Sequence, residues 1–469
     1  MVDFLSSTRR EMLSRCGCGL GLLALAHMLN RDVRASDETG RAVRPYEGRR
    51  THHLPRAKRV IFLYMPGGPS HVDLLDPKPR LVAENGQPLP FEKPKLERKK
   101  TGNLLASPWK FSRHGESGIE VSELLPRFAS HVDDVCVIRS MVADNINHSG
   151  AALQMFTGEQ AFSRPSLGSW LTYGLGTENQ NLPAFLAVSP ARVFQGAQLW
   201  ASSFLPSSYQ GTLIRDLNRP IANLTSPSGN PERQRRKLDA IRRLNTIHKR
   251  DRSIDTQLDA RIASFELAFR MQREAPNAFD LSQESHAMHT LYGCGAPSTE
   301  LFGRQCLLAR RLIERGVRFV HLFDAPKNNA WDHHSRLSQG LPERCHAVDQ
   351  PIAALLSDLK SRGLLDDTLV IWGGEFGRTP TAEGNDGREH HPFGFTMWLA
   401  GGGIRGGMVH GATDEYGWHA RENIVHVHDL HATILYLMGL DHERLTYRFA
   451  GRDYRLTDVY GRVVEQVLS

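Results

Sequence analysis

The chain carries 22 histidines, and several lie beside carboxylates in short segments. His71, Asp73 and Asp76 fall in PGGPSHVDLLDPKP, and Asp324 is followed by Asp332, His333 and His334 in AWDHHSR. Glu375 lies in GGEFGRTP, and His390 and His391 lie in GREHHPFGF. Imidazole mixed with carboxylate is the donor set a borderline divalent ion such as Zn²⁺ prefers, whereas an oxygen-rich set suits Mg²⁺, Ca²⁺ or Mn²⁺. One or two such ions clamp the oxygens of a phosphoryl or sulfuryl ester during displacement. Each segment also has a plainer reading. His71 and Asp73 fit a local turn network, and Glu375 fits an ion pair with Arg378 or Arg388. Adjacent histidines on extended backbone point to opposite sides, so at most one of each pair serves as a ligand.

Such a centre needs rigid elements to carry four distant segments to one place. Apolar, β-branched runs at 59–65, 134–141, 184–188, 317–323, 368–372 and 395–399 predict strands covered on both faces, as in a parallel sheet. The first segment follows the 59–65 run, the second follows 317–323, the third follows 368–372, and the fourth precedes 395–399. Open α/β sheets bind ligands outside the carboxyl ends of their strands. Helical patterns at 301–315 and at 349–359, with Pro351 in a first turn, alternate with these strands and predict a layered α/β fold. A Ser-, Pro- and Asn-rich stretch at 202–230 reads as a long loop. The basic amphipathic pattern at 232–271 reads as helix, together an insertion at about 202–290. Its basic face is either a solvated surface or an aid to recruiting an anionic substrate. Gly401 to Gly407 reads as a turn, since no helix pattern follows it.

Composition narrows the class. Hydrophobic residues make up 40% and charged residues 23%, which excludes a disordered chain and a multi-span membrane protein. The net charge of +7 attracts anions such as phosphate, sulfate or acidic polysaccharide. No nucleic-acid recognition motif accompanies it, so nucleic acid is not an expected partner. Residues 1–35 pair Arg9 and Arg10 ahead of a mildly apolar run and Val33-Arg34-Ala35, a pattern similar to a twin-arginine export signal. That run, about 14 residues, is shorter than the ~20 of a membrane span. The mature protein, residues 36–469, is therefore expected as one exported domain without a transmembrane segment, in the periplasm or cell envelope. Of six cysteines, Cys136, Cys294, Cys306 and Cys345 lie beyond this segment, and no C-x-x-C pair exists. They are either paired or buried free thiols.

Together GGPSHVDLLDPKP, NHSGAALQMFTG, WDHH, GEFGRTP, GREHH, LAGGGIRGG and GATDEYG resemble a large exported bacterial family of unknown function, often described as sulfatase-like, over residues 56–462. That family is placed in the alkaline phosphatase and sulfatase superfamily. The resemblance implies an alkaline-phosphatase-like three-layer sandwich with a mostly parallel sheet and a helical insertion. It implies Asp332 and His334 as WDxH ligands, Glu375 as a carboxylate ligand, and His390 as the histidine of a GRDH-like motif in which Glu389 replaces Asp. Asp73, with His71 beside it, stands where the superfamily has a ligand after the first strand. Ser149 matches the nucleophile at a helix N-terminus, with His148 as ligand or acid/base. Arg378 or Arg388 would hold the anion through its planar fork. No cysteine lies in the C-x-P-x-R motif of formylglycine sulfatases. The expected function is metal-dependent hydrolysis of a phosphate or sulfate ester on an anionic small molecule or polysaccharide. The alternative is a non-catalytic metal- or anionic-glycan-binding protein on the same fold.

Overall fold

RVIFLY is apolar at almost every position, so each of its faces must be covered. In the computed structural model it forms β1 (Arg59–Tyr64) near the middle of a nine-stranded sheet. The structure describes residues 50–92, 96, 101–221, 231–250 and 256–469, and the predicted export segment lies outside them. The other strands are β2 (Val135–Val142), β3 (Phe185–Val188), β4 (Thr212–Ile214), β5 (Phe319–Phe323) and β6 (Thr368–Gly373). After a hairpin of β7 (Gly377–Ala382) and β8 (Arg388–His391) come β9 (Phe395–Ala400), β10 (Met408–His410) and β11 (Val425–His426). The sheet order is β10-β2-β9-β6-β1-β5-β3-β4, with β11 also on β2. Only β9 runs antiparallel to its neighbours, so the sheet is mostly parallel.

Two cores sandwich this sheet. Along β1, Ile61 and Leu63 enter one core while Val60, Phe62 and Tyr64 enter the other, the period-two alternation of a strand. The first core is closed by α5 (Glu300–Glu314) and α6 (Leu337–Ser361), the second by α1 (His148–Thr157), α2 (Leu167–Leu175) and α7 (Val427–Leu437). The basic stretch forms α3 (Pro231–Arg250) and α4 (Thr256–Phe279), joined by Arg235 and Glu266 at 2.9 Å.

The structure departs from the sequence reading in three places. α6 starts at Leu337, not near Asp349, so Pro342 and Pro351 are interior. Its apolar face (Leu341, Cys345, Val348, Ile352, Leu355, Leu359) runs unbroken across both prolines, and burial outweighs the lost backbone bonds. The predicted loop 202–230 contributes β4 to the sheet edge. GEFGRTP and GREHH, where no strand was predicted, carry the β7–β8 hairpin. Cys136, Cys294, Cys306 and Cys345 are all free thiols. No helix among the described residues is long and apolar enough to cross a membrane.

Candidate metal centre

The carboxyl ends of β1, β5 and β6 lie side by side. After β1, Gly67 adopts φ +116°, and a Cβ there would lie 2.5 Å from the Asp332 nitrogen. Glycine is what lets the β1 and β5 exits touch. The β5 exit is fixed by Trp331, whose N–H donates to Pro66 O (3.0 Å) and whose indole donates to Asp324 (2.8 Å). Burial pushes Asp324 up to about 6, although Arg344 and the indole oppose this. Glu375 follows β6 and is 1% exposed. It accepts from Tyr64 Oη (2.7 Å) and Gly67 N–H (3.0 Å).

Four donors meet in this corner: His148, Asp332, His334 and His390, with ligand atoms within 4.8 Å of one another. His148 opens α1, with Asn147 as N-cap accepting from Ser149 N–H (2.9 Å). His390 lies on β8 opposite Arg378 on β7, and strand alternation turns His391 away, toward Trp418 O. His333 lies in the wall: a Cβ on Gly340 would meet its ring at 2.6 Å, and burial lowers its pKa to about 4.

Each imidazole is held at Nδ1. His148 Nδ1–H donates to Glu375 (2.6 Å), His390 Nδ1–H to Ile146 O (2.8 Å) and His334 Nδ1–H to Glu383. These acceptors place the proton on Nδ1 and leave Nε2 as the ligating atom. The three Nε2 atoms lie 3.2, 3.0 and 3.5 Å from Asp332 oxygens for His148, His334 and His390, and those of His334 and His390 are 2.9 Å apart. His148 Nε2 is buried and makes no hydrogen bond. Three nitrogen lone pairs and a carboxylate facing one another require a cation, either protons or a metal. Ligands about 2.0–2.1 Å from tetrahedral Zn²⁺ lie roughly 3.3 Å apart, which matches these spacings.

Charge follows the same geometry. Burial would raise the Asp332 pKa, but the three imidazoles and the Arg378 guanidinium around it hold it far below the usual carboxylate range. Burial would lower that of His148, yet Asp332 and Glu375 raise it. Burial dominates at His390 and lowers it to about 4, so this imidazole is neutral and ready to ligate.

The remaining candidates are placed elsewhere. Asp73 is fully buried in a two-point ion pair with Arg388 (2.7 and 2.9 Å), so neither reaches the cluster. His71 bonds Gly417 O (2.8 Å). Arg378 spends its fork on Gly67 O, Gly68 O, Arg388 O and Asp332 (2.6 Å), holding the β1 turn and the carboxylate together. Glu375 orients His148 from behind. Ser149 is half-buried in the first turn of α1. Glu383 escaped the sequence reading, because its role depends on the hairpin folding back over His334.

A family model for proteins of unknown function, DUF1501, matches residues 57–468. The chain belongs to the DUF1501 family. No curated protein matches this DUF1501 chain at a significant level. Solved structures similar to it include the PsFucS1 sulfatase from Pseudoalteromonas sp. (12% identity, 83% of this chain and 69% of that chain, TM-score 0.36). An alkaline phosphatase from the Antarctic bacterium TAB5 (10%, 83% and 99%, TM-score 0.35) is another. A third is the lipoteichoic acid synthase LtaP from Listeria monocytogenes (11%, 83% and 74%, TM-score 0.33).

Proposed function

We propose that this DUF1501 protein is a metal-dependent hydrolase of phosphate or sulfate esters that works outside the cytoplasm after twin-arginine export. One divalent ion would be held by His148, Asp332, His334 and His390. The observation that carries the reading is the convergence of three Nδ1-anchored imidazoles on one carboxylate. A three-His, one-carboxylate set fits Zn²⁺ or a neighbouring transition metal better than Mg²⁺ or Ca²⁺. Such an ion supplies Lewis-acid stabilisation of charge on a phosphoryl or sulfuryl oxygen.

The chain's own residues divide the remaining work. Glu375 and Glu383 keep the His148 and His334 protons on Nδ1, and Arg378 keeps Asp332 ionised. Ser149, one residue beyond His148 at the positive end of α1, is the proposed nucleophile. One observation favours the second reading, a non-catalytic metal- or anionic-glycan-binding protein. Both arginines proposed to grip the anion are committed to protein acceptors, and the Ser149 N–H is taken by Asn147. Aryl phosphates, phosphodiesters and aryl sulfates, assayed with the zinc- and manganese-loaded full chain, separate the two. Turnover that falls by about 10²-fold or more in Ser149→Ala, at unchanged metal content, supports the hydrolase. Metal binding without turnover on the whole panel supports the binding protein.

A further inference from the structure

Beside the centre, on the solvent side of Asp332, lies a cavity of about 580 Å³. That volume is in the range of small-molecule sites. Its wall carries Lys327, Arg336 and Arg344 against the carboxylates of Asp332 and Glu343. Lys327 has no carboxylate partner among the described residues, and Arg336 bonds the neutral Gln339 side chain, at 3.2 Å from Nε. Arg344 lies 3.7 Å from Asp324. With Asp332 held by Arg378 and Arg344 beside Asp324, Lys327 and Arg336 against Glu343 leave the cavity wall with one net positive charge.

Three further features mark it as built for a ligand. Asn329 and Arg336, which bracket the segment bearing Asp332 and His334, both hold left-handed backbone (φ 45° and 55°) without being glycine. Strain of that kind, of order 1 kcal/mol or more per residue, gathers at ligand sites. Asn329 Nδ2 is buried and lacks a hydrogen-bond acceptor. Phe194, 45% exposed, stacks on His148 at 6.2 Å and 8° and offers an apolar plate at the mouth of an otherwise polar cavity.

We infer that this cavity receives the leaving group of the ester, and that Lys327 and Arg336 read a second negative charge on it. The substrate class is then an ester of a hydroxyl-rich ring that carries its own anionic substituent. Hydroxyls suit the Asn328 and Gln339 side chains that line the cavity, the ring face suits Phe194, and the substituent suits the two cations. This rests on the hydrolase reading for the word leaving group, but the anion subsite itself needs no metal.

The test is calorimetric titration of the full chain, stripped of divalent ions by a chelator, with glucose 6-phosphate and with glucose. The same titrations are run on the Lys327→Gln/Arg336→Gln double variant, and the zinc content of both reloaded proteins is measured. The expected result is at least tenfold tighter binding of glucose 6-phosphate than of glucose, weakening with added salt. The double variant should lose that preference and bind zinc as the parent does. Equal affinity for the two sugars, or an unchanged preference in the double variant, overturns the subsite. Absence of zinc from both proteins, with the preference intact, would instead count against the metal centre alone.

Discussion

At the level of single residues, the centre depends less on which histidines are present than on what holds their far nitrogens. Glu375 takes the Nδ1 proton of His148 and is itself fixed by Tyr64 and Gly67. Replacing it by Gln keeps the shape and removes the charge, so Glu375→Gln should lower zinc affinity about 10–100-fold with little change in fold. Competition titration with a chromophoric chelator reads this directly, and unchanged affinity would remove Glu375 from the role. Zinc affinity should also drop as pH falls, because Asp332 and Glu375 raise the His148 pKa and a proton competes for its Nε2. Four of the residues that meet, or support the meeting, were legible as residue types at strand ends: Asp332, His334, Glu375 and His390. The placement of Asp73 was not legible, because its partner Arg388 is 315 positions away and only the folded hairpin brings them together.

At the level of elements, the strands were the readable part, since a run buried on both faces has a composition few other elements share. The β7–β8 hairpin was not readable. Its residues are polar and buried, and their partners are backbone carbonyls of the β1 turn and of His333. Those contacts make the β1 turn the hinge of the whole arrangement. Gly67→Ala would place a methyl 2.5 Å from the Asp332 nitrogen at a φ that alanine disfavours. The expected cost is about 2–5 kcal/mol of stability, with loss of metal at ordinary zinc concentrations. Urea unfolding with metal analysis checks it. A nearly neutral outcome would mean that the β5 exit shifts freely, which the network around Trp331 argues against.

At the level of the whole molecule, many histidines are structural, which a count of 22 conceals. His321 lies in the core against Phe323 (3.9 Å between centroids) with neither ring nitrogen hydrogen-bonded, and burial lowers its pKa far below the usual value. Burial also lowers His431 to about 3 and His428 to about 4. Each binds its proton more readily in the unfolded chain, near the ordinary value of about 6.5. Stability is therefore intact above that value and falls as pH drops below it toward the folded values. Thermal midpoints should decline steeply below about pH 6. His321→Phe, which fills the same aromatic pocket, should flatten part of that decline. An unchanged pH profile in this variant would show that acid sensitivity arises elsewhere.

Elemental analysis of the purified full chain tests most directly whether His148, Asp332, His334 and His390 hold a metal ion. About one zinc or similar transition-metal ion per chain is expected, lost on His334→Ala and on Asp332→Ala but retained in Asp73→Asn. Protein that carries no such ion, takes up none when zinc is supplied, and behaves the same in all three variants would contradict it.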